Sequence, residues 1–260
     1  MVNQMHMRMK KWARPELEAC TFFTETPFEY KGKWATCFSK KQSLHVELGC
    51  GKGVSTAKMV HEHQENNYIA IDITCNILGD TRRNIVTEFG NEPINNVMIA
   101  RWDITKISEM LSPEDKVERL YISFPNPWTQ RANKTAKRRL THPRQLMQYH
   151  DFLTENGEIY FKTDNVALFL DSQDYLKKCG FEIEFLTTDL HASGFQPNYI
   201  TEHEEMYTKS GISTLFLIAR KRSFSKDEKE FHDAIITEIS NGGKESDRVL
   251  SRMNKGNMEK

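Results

Sequence analysis

The chain has 260 residues, of which 38% are hydrophobic and 28% are charged. This length suits one α/β domain with extensions. Since no apolar run approaches the roughly 20 residues of a membrane helix, we expect a soluble protein. Lys plus Arg balances Asp plus Glu at 36 each, which excludes a uniformly basic surface and leaves only local charge patches to consider.

The five cysteines are odd in number, scattered and without a C-x-x-C pair, which predicts free thiols and no metal site. The amino-terminal residues lack the apolar stretch of a secretory signal, so we expect a cytoplasmic protein. Residues 1–41 show no clear periodicity, and no acidic residue precedes Glu16. We interpret this segment as a basic extension; its early cations are Arg8, Lys10, Lys11 and Arg14.

A glycine-rich turn at 44–53, LHVELGCGKG, is the main motif of the chain. A short apolar strand ends in Gly49, Gly51 and Gly53, which allow a sharp turn and close approach of a ligand to backbone N–H groups. Glu47 before the first glycine gives E-x-G-x-G-x-G, which favours S-adenosylmethionine over a dinucleotide. Lys52 is followed by glycine instead of Ser or Thr, which argues against a phosphate-binding P-loop.

From this turn onward, strand and helix patterns alternate to about residue 222. Seven strands are predicted at 44–48, 68–73, 96–100, 119–124, 157–162, 181–186 and 213–219. Helices are predicted between them at 56–63, 81–89, 144–153 and 167–178. Such alternation indicates a mixed, mainly parallel sheet with helices on both faces. Residues 42–222 therefore form the predicted α/β domain, and 223–260 a polar extension with one helix bearing Phe231, Ile235 and Ile239.

Three acidic residues follow successive strands. Asp72 lies 19 residues beyond Gly53, where a carboxylate commonly accepts ribose hydroxyls, and Asp103 follows the third strand. Glu47 closes the first strand. Carboxylates would also offset the positive charge of a sulfonium cofactor. Each acid alone has an alternative interpretation as a helix cap.

The fourth strand runs into Phe124-Pro125-Asn126-Pro127-Trp128. Two prolines make this loop stiff, which is compatible with a plain sheet terminus or with a site beside the glycine turn. The acid-free stretch 119–150 that contains it favours contact with a nucleic-acid backbone. Its cations are Arg119, Arg131, Lys134, Lys137, Arg138, Arg139 and Arg144. A charge run can also be merely a solvated loop.

The chain resembles the tRNA (guanine-N7-)-methyltransferase family of the bacterial TrmB type over about residues 7–220. The motifs are VELGCGKG, YIAIDI, FPNPW with downstream KRRLTHPRQL, GEIYFKTDN and TEHEEMY, in that order. The resemblance implies a Rossmann-like class I S-adenosylmethionine-dependent methyltransferase fold. It also implies methyl transfer to N7 of a guanine in the tRNA variable loop.

Transferred position by position, the resemblance implies which residues contact the cofactor, which one lies at the catalytic position and which contact the substrate. Cofactor contacts fall to Glu47, Gly49, Gly51, Gly53, Asp72, Asp103 and Asn126, with Asn126 also in the catalytic position. Substrate contacts fall to Gln130, Arg131, Lys134, Lys137, Arg138, Arg139, Asp164, Thr201, Glu202, His203 and Glu204. For Asp164 the alternative is a helix N-cap, and for Thr201 to Glu204 it is a T-x-x-E capping box.

Two departures from the family pattern concern the loop. Asn126 stands where the family usually has Asp, and Gln130-Arg131-Ala132-Asn133 replaces the usual Lys-x-x-His with about two extra residues. Guanine N7 has a free lone pair, so no general base is needed, and we expect activity with tRNA as partner. A tRNA-binding relative with reduced or lost catalysis is the alternative. We expect a monomer or homodimer, with no metal.

Overall fold

The computed structural model describes residues 9–129 and 135–240. One eight-stranded sheet organises them, in the order β1-β4-β3-β2-β5-β6-β8-β7. The strands are β1 Phe23–Thr24, β2 Ser43–Leu48, β3 Asn66–Asp72, β4 Val97–Arg101, β5 Val117–Ser123, β6 Leu153–Thr163, β7 Phe181–Thr187 and β8 Leu215–Lys221. β8 is antiparallel to both β6 and β7, and the other pairs are parallel. The mixed, mainly parallel sheet is therefore confirmed.

The helices are α1 Ala13–Glu18, α2 Val54–Glu62, α3 Cys75–Phe89, α4 Pro143–Phe152, α5 Val166–Lys178, α6 Glu202–Lys209 and α7 Lys226–Ser240. α1 and α2 pack on α3, whereas α5 and α7 pack on α4. Pro143 is the first residue of α4, as its fixed φ predicts. Strand residues such as Val46, Ile69, Leu120 and Ile159 are completely buried and form the core.

The eighth strand, β1, was not predicted. Phe23 and Thr24 pair in parallel with Ile99 and Ala100 of β4 at the edge of the sheet. Two residues are too few to show a hydrophobic period, so no sequence pattern reveals such a strand. The amino-terminal segment is thus part of the sheet and not only laid against it.

Trp34 fixes the rest of this segment. Its side chain is completely buried, and its indole Nε1 donates to the Met110 carbonyl at 2.8 Å. The Asp115 carboxylate accepts hydrogen bonds from the backbone N–H groups of Gly32 at 2.9 Å and Trp34 at 3.1 Å. Basic residues of the segment are also paired: Lys10 with Asp80, and Arg14 with Glu18 and Glu25.

The carboxy-terminal extension forms the predicted amphipathic helix, α7. Phe231 and Ile235 are buried against α4, as their four-residue spacing predicts. The Arg222 guanidinium donates to both carboxylate oxygens of Glu228, at 2.9 and 2.6 Å. This ion pair and Ser225 hold the pKa of Glu228 at about 2. α7 is therefore fixed to the domain by apolar burial and by a bidentate ion pair.

Candidate active site at the carboxyl ends of the strands

The glycine turn lies where the order of the parallel strands reverses, between β2 and β5. Ligands of open α/β sheets bind at this position. Gly49 and Gly51 have φ values of +82° and +57°, and a Cβ on either would meet nothing within 4 Å. Gly53, with φ +71°, is the N-cap of α2, and a Cβ there would lie 2.5 Å from Thr81 Cγ2. The first two glycines thus leave an open cradle, and the third allows close helix packing.

Glu47 and Asp72 end the two strands beside this cradle. Glu47 is 6% exposed and accepts a hydrogen bond from Thr56 Oγ1 at 2.5 Å; burial raises its pKa to about 7. Asp72 Oδ1 accepts from the Thr74 backbone N–H at 3.0 Å, and burial raises the pKa of Asp72 as well. Thr56 therefore holds Glu47 and backbone N–H groups hold Asp72, and each acid faces a cavity.

Asp103 is a helix cap that also faces a cavity. It caps a 3-10 helix, Ile104–Glu109, accepting from Thr105 N at 3.0 Å and from Thr105 Oγ1 at 2.7 Å. It also lines a cavity of about 320 Å³ together with Gly49, Asp72 and Asn126. The structure thus brings these four predicted cofactor residues together around one cavity.

A second cavity, of about 210 Å³, adjoins the first at Gly49 and continues along the glycine turn. Its walls are Glu47 and the three glycines on one side, and Phe124, Thr201, Glu202 and His203 on the other. The two cavities form one groove across the end of β2 and β5. We call this the cofactor groove, after the prediction made for the residues that line it.

The proline loop closes one end of the cofactor groove. Asn126 Oδ1 accepts a hydrogen bond from the Trp128 backbone N–H at 3.0 Å, an Asx turn that leaves the Nδ2 amide for other partners. Phe124 and Trp128 have φ values of +50° and +47°. Non-glycine residues rarely adopt this conformation, and such strained backbone clusters at functional sites.

The downstream basic residues divide into two kinds. Lys137 and Arg138 are exposed, and the Arg138 guanidinium lies 5.2 Å from the centre of the Trp128 ring. Arg139 is 4% exposed; its Nε donates to the Pro127 carbonyl at 2.8 Å and its Nη1 to Asp171 at 2.5 Å. Gln130, Arg131 and Lys134 lie outside the described residues. Arg139 therefore holds the loop through Pro127 and Asp171, and its role as a substrate contact stays a prediction.

Asp164 and His203 meet opposite the glycine turn. Asp164 Oδ1 lies 3.3 Å from His203 Nε2, and the His203 ring lies between Phe124, at 4.7 Å, and Tyr207, at 4.2 Å between ring centres. The alternative interpretation of Asp164 as a helix cap is wrong, because Asn165 caps α5 by accepting from Leu168 N at 2.8 Å. The Asp164 carboxylate instead contacts the His203 ring, and its role in holding the guanine stays a prediction.

The T-x-x-E segment forms the capping box that its spacing predicts. Thr201 Oγ1 accepts from Glu204 N at 3.0 Å, and Glu204 Oε2 accepts from Thr201 N at 3.5 Å. Glu204 is completely buried. Its carboxylate also binds Lys162 Nζ at 3.1 Å and Asn198 Nδ2 at 3.0 Å. Glu204 therefore joins Lys162 and Asn198 to the start of α6, and its role as a substrate contact stays a prediction.

Several residues that shape this site were missed. Lys162, 13% exposed, donates to Asn198 Oδ1, to the Tyr199 carbonyl at 3.1 Å and to Glu204. It fixes the segment before α6 to the end of β6. Its side chain lies on the opposite face of β6 from the buried Phe161, and this alternation was the only feature of the sequence that could have indicated its role. His191, 3.1 Å from Glu204 Oε1, lies in a loop without periodicity and offers no such signal.

Lys52 of the glycine turn also contacts α6. Its Nζ lies 3.0 Å from the Glu202 carboxylate, and both side chains are half exposed. Within residues 9–129 and 135–240, no cluster of three or more His, Cys, Asp or Glu side chains is placed to hold a metal ion. None of the helices in that part of the chain is long and apolar enough to cross a membrane.

The family Methyltransf_4, described as "Putative methyltransferase", matches residues 41–216. A 16S rRNA methyltransferase, KamB, has a TM-score of 0.54 at 14% identity, covering 77% of this chain and 95% of the other, and shows the same fold.

The curated relatives are much more similar in sequence. The tRNA (guanine-N(7)-)-methyltransferase of Clostridium botulinum is 51% identical over 219 residues, 84% of this chain and 99% of the relative. That of Clostridium perfringens is 50% identical over 220 residues, 84% of this chain and 100% of the relative. That of Acetivibrio thermocellus is 44% identical over the same shares of both chains. The chain belongs to the tRNA (guanine-N(7)-)-methyltransferase family.

Proposed function

We propose that this protein transfers a methyl group from S-adenosylmethionine to N7 of a guanine in the variable loop of tRNA. The observation that carries the proposal is the cofactor groove. It is lined on one side by the glycine turn and on the other by Phe124, Thr201, Glu202 and His203. The names of the relatives support the reaction and its tRNA substrate.

The residues of the groove fit S-adenosylmethionine. The open space over Gly49 and Gly51 admits a ligand that a Cβ would exclude. Asp72 and Asp103 line the cavity of about 320 Å³, where carboxylates suit ribose hydroxyls. Glu47 lines the adjoining cavity, where a carboxylate suits an ammonium group. When bound, the cofactor supplies an electrophilic methyl group on a positively charged sulfur.

Cofactor affinity should depend on pH through Glu47. Burial raises the pKa of Glu47 to about 7, and only the ionised carboxylate offsets the charge of a cationic ligand. We therefore expect the Kd for S-adenosylmethionine to rise as pH falls from 8 to 6. Calorimetric titration across this range tests it. Glu47→Gln should bind more weakly at pH 8 and lose the pH dependence; an unchanged slope in this variant would contradict the assignment.

In this proposal the chain contributes orientation of the guanine and not proton removal, because N7 already has a free lone pair. The Nδ2 amide of Asn126 can donate to an acceptor on the base, since Oδ1 is engaged by Trp128. His203, held by Asp164 and stacked on Tyr207, presents an aromatic ring and a hydrogen-bonding edge. These groups would align the base beside the groove.

Asn126→Asp should preserve or raise turnover. A carboxylate at this position can keep the Asx turn with Trp128 and can offset the positive charge that develops on the methylated ring. Asn126→Ala removes the turn and should lower kcat by about 100-fold through misplacement. Steady-state methylation of an unmodified tRNA transcript gives both values. Inactivity of Asn126→Asp would show that the amide itself is required.

The exposed Lys137 and Arg138, together with Arg131 and Lys134 before them in the sequence, would bind tRNA phosphates. Arg138→Ala should weaken tRNA binding and reduce the slope of log affinity against log salt by about 1, with unchanged stability. Arg139→Ala should instead lower the free energy of unfolding by about 1–3 kcal/mol, because Pro127 and Asp171 lose their partner. Measurements of salt-dependent tRNA binding and of urea unfolding on both variants test whether Arg138 binds tRNA and Arg139 stabilises the fold. The assignment is wrong if both variants lose only tRNA affinity or only stability.

The function itself is tested with purified protein, S-adenosylmethionine carrying a labelled methyl group, and a tRNA transcript. Nucleoside analysis should find labelled 7-methylguanosine, and a transcript with adenine in place of the variable-loop guanine should remain unlabelled. If the protein binds the transcript but yields no 7-methylguanosine, the proposal is wrong.

A further inference from the structure

One face of the three central strands carries polar and aromatic residues and lies beneath a cavity. The alternation of β2, β5 and β6 buries Val46, Leu120 and Ile159 on one face and directs His45, Tyr121 and Tyr160 to the other. The central strands of a mainly parallel sheet are normally covered by apolar helix packing on both faces. Here a cavity of about 510 Å³ lies over the second face, within the size range of ligand sites. We call it the sheet-face cavity.

The walls of the sheet-face cavity are rich in aromatic rings. Tyr121 and Tyr160 meet edge to face with 5.5 Å between ring centres, and the His45 ring meets Tyr68 edge to face at 5.3 Å. Phe195, from the segment before α6, lies 6.3 Å from Tyr160. Such rings, set at angles to one another, suit a flat heterocycle, which can stack on one ring and contact the edges of others.

Arg119 and Lys162, the described Arg and Lys residues that line the sheet-face cavity, are each paired with a carboxylate. Arg119 donates from Nε and Nη2 to Glu158, at 3.0 and 2.7 Å, and lies 4.4 Å from the centre of the Tyr160 ring. Lys162 is paired with buried Glu204. A phosphate would therefore find no unpaired cation among these lining residues.

Other lining groups point to a ligand without negative charge. Burial lowers the pKa of His45 to about 3, so its imidazole is neutral. At the rim, Glu118 accepts from Ser43 at 2.7 Å, and Glu65 lies 2.8 Å from His63 Nδ1. These exposed acids would repel a phosphate and do not oppose a neutral ligand.

We infer that the sheet-face cavity is a second ligand site, separate from the cofactor groove, that takes an uncharged purine nucleoside. Aromatic faces supply stacking for the base, and the Tyr160 hydroxyl and His45 Nε2 supply polar partners for its edges. The Tyr121 hydroxyl and His45 Nδ1 lie 3.5 Å from each other and are engaged within the wall. Glu47, Ser55 and Ser123 line both this cavity and the cofactor groove. Through this shared wall, occupancy of the cavity can influence cofactor binding.

Adenosine is the probe for this inference. The full chain is first saturated with S-adenosylhomocysteine, which blocks the cofactor groove, and adenosine is then titrated by calorimetry and by amide chemical shifts. We expect saturable one-to-one binding with shifts at β5 and β6, and at least tenfold weaker binding of adenosine monophosphate. The inference is overturned if adenosine shows no saturable binding up to millimolar concentration, or if the monophosphate binds equally well.

Two matched variants locate the site. Tyr160→Ala removes a ring of the cavity and should weaken adenosine binding at least about tenfold. Phe185→Ala removes a ring that lies behind the lining, 5.1 Å from Phe195 and 5.9 Å from Phe216, without facing the cavity itself, so binding should weaken much less than in Tyr160→Ala. Equal effects of both variants would contradict the site. The chemical-shift changes of the wild-type protein also locate the bound adenosine, without any variant. If the same sample methylates tRNA but does not bind adenosine, the second site is wrong and the proposed function still holds.

Discussion

Asp72→Ala is expected to weaken S-adenosylmethionine binding by about 100-fold. A partly buried carboxylate that accepts two ribose hydroxyls contributes roughly 3 kcal/mol, because hydrogen bonds to charged groups are worth about 1.5–3 kcal/mol each. Asp72 is suited to this role because its Oδ1 is fixed by Thr74 N at 3.0 Å at the end of β3. Calorimetric titration of the cofactor onto the wild-type protein and the variant measures the effect.

The control separates loss of the ribose contact from loss of the turn. Asp72→Asn keeps an oxygen for Thr74 N but loses the charge, so we expect a smaller loss, of about tenfold. Affinity for tRNA should be unchanged in both variants, since the exposed Arg138 lies on the loop after β5. If Asp72→Ala weakened tRNA binding and left the cofactor Kd unchanged, the assignment of the groove would be wrong.

The parts of this fold that could be predicted from the sequence are those determined by residues close together in the chain. The glycine turn and the strand alternation predicted β2 to β8, since each strand is long enough to show a pattern. The T-x-x-E spacing predicted the capping box at Thr201 and Glu204 because both partners lie within one turn of helix. β1 was missed because Phe23 and Thr24 become a strand only by pairing with β4.

Side-chain roles that depend on distant partners were not predictable. Sequence placed Arg139 in a charge run, but its burial depends on Asp171, 32 positions away, and on the bend that brings the Pro127 carbonyl to it. Asp164 and Asn165 are both suitable helix caps, and the path of the chain leaving β6 selects Asn165. Glutamate side chains are usually exposed, and that of Glu204 is buried only because Lys162 and Asn198 bind its carboxylate.

Glu204→Ala should be among the most destabilising single substitutions in the site. It leaves Lys162, 13% exposed, as a buried charge without its carboxylate partner, and such a loss typically costs about 3–5 kcal/mol. Burial already lowers the pKa of Lys162. Without Glu204 the folded protein would favour the neutral amine more strongly, so the destabilisation should shrink as pH rises toward 10.5, the ordinary value for lysine. Urea unfolding at pH 7 and pH 9.5 measures both effects.

Glu202→Ala is the matched control, because Glu202 begins the same helix and pairs with Lys52 with both side chains half exposed. An exposed pair of this kind contributes about 0–1 kcal/mol, so its loss should be several times smaller. Lys162→Met combined with Glu204→Leu should recover much of the lost stability, since a buried ion pair can be replaced by apolar side chains of similar volume. Equal destabilisation by Glu202→Ala and Glu204→Ala would show that the buried charge is not the cause. Recovery of stability without recovery of methyl transfer would show that the pair also holds His203 in place beside the groove.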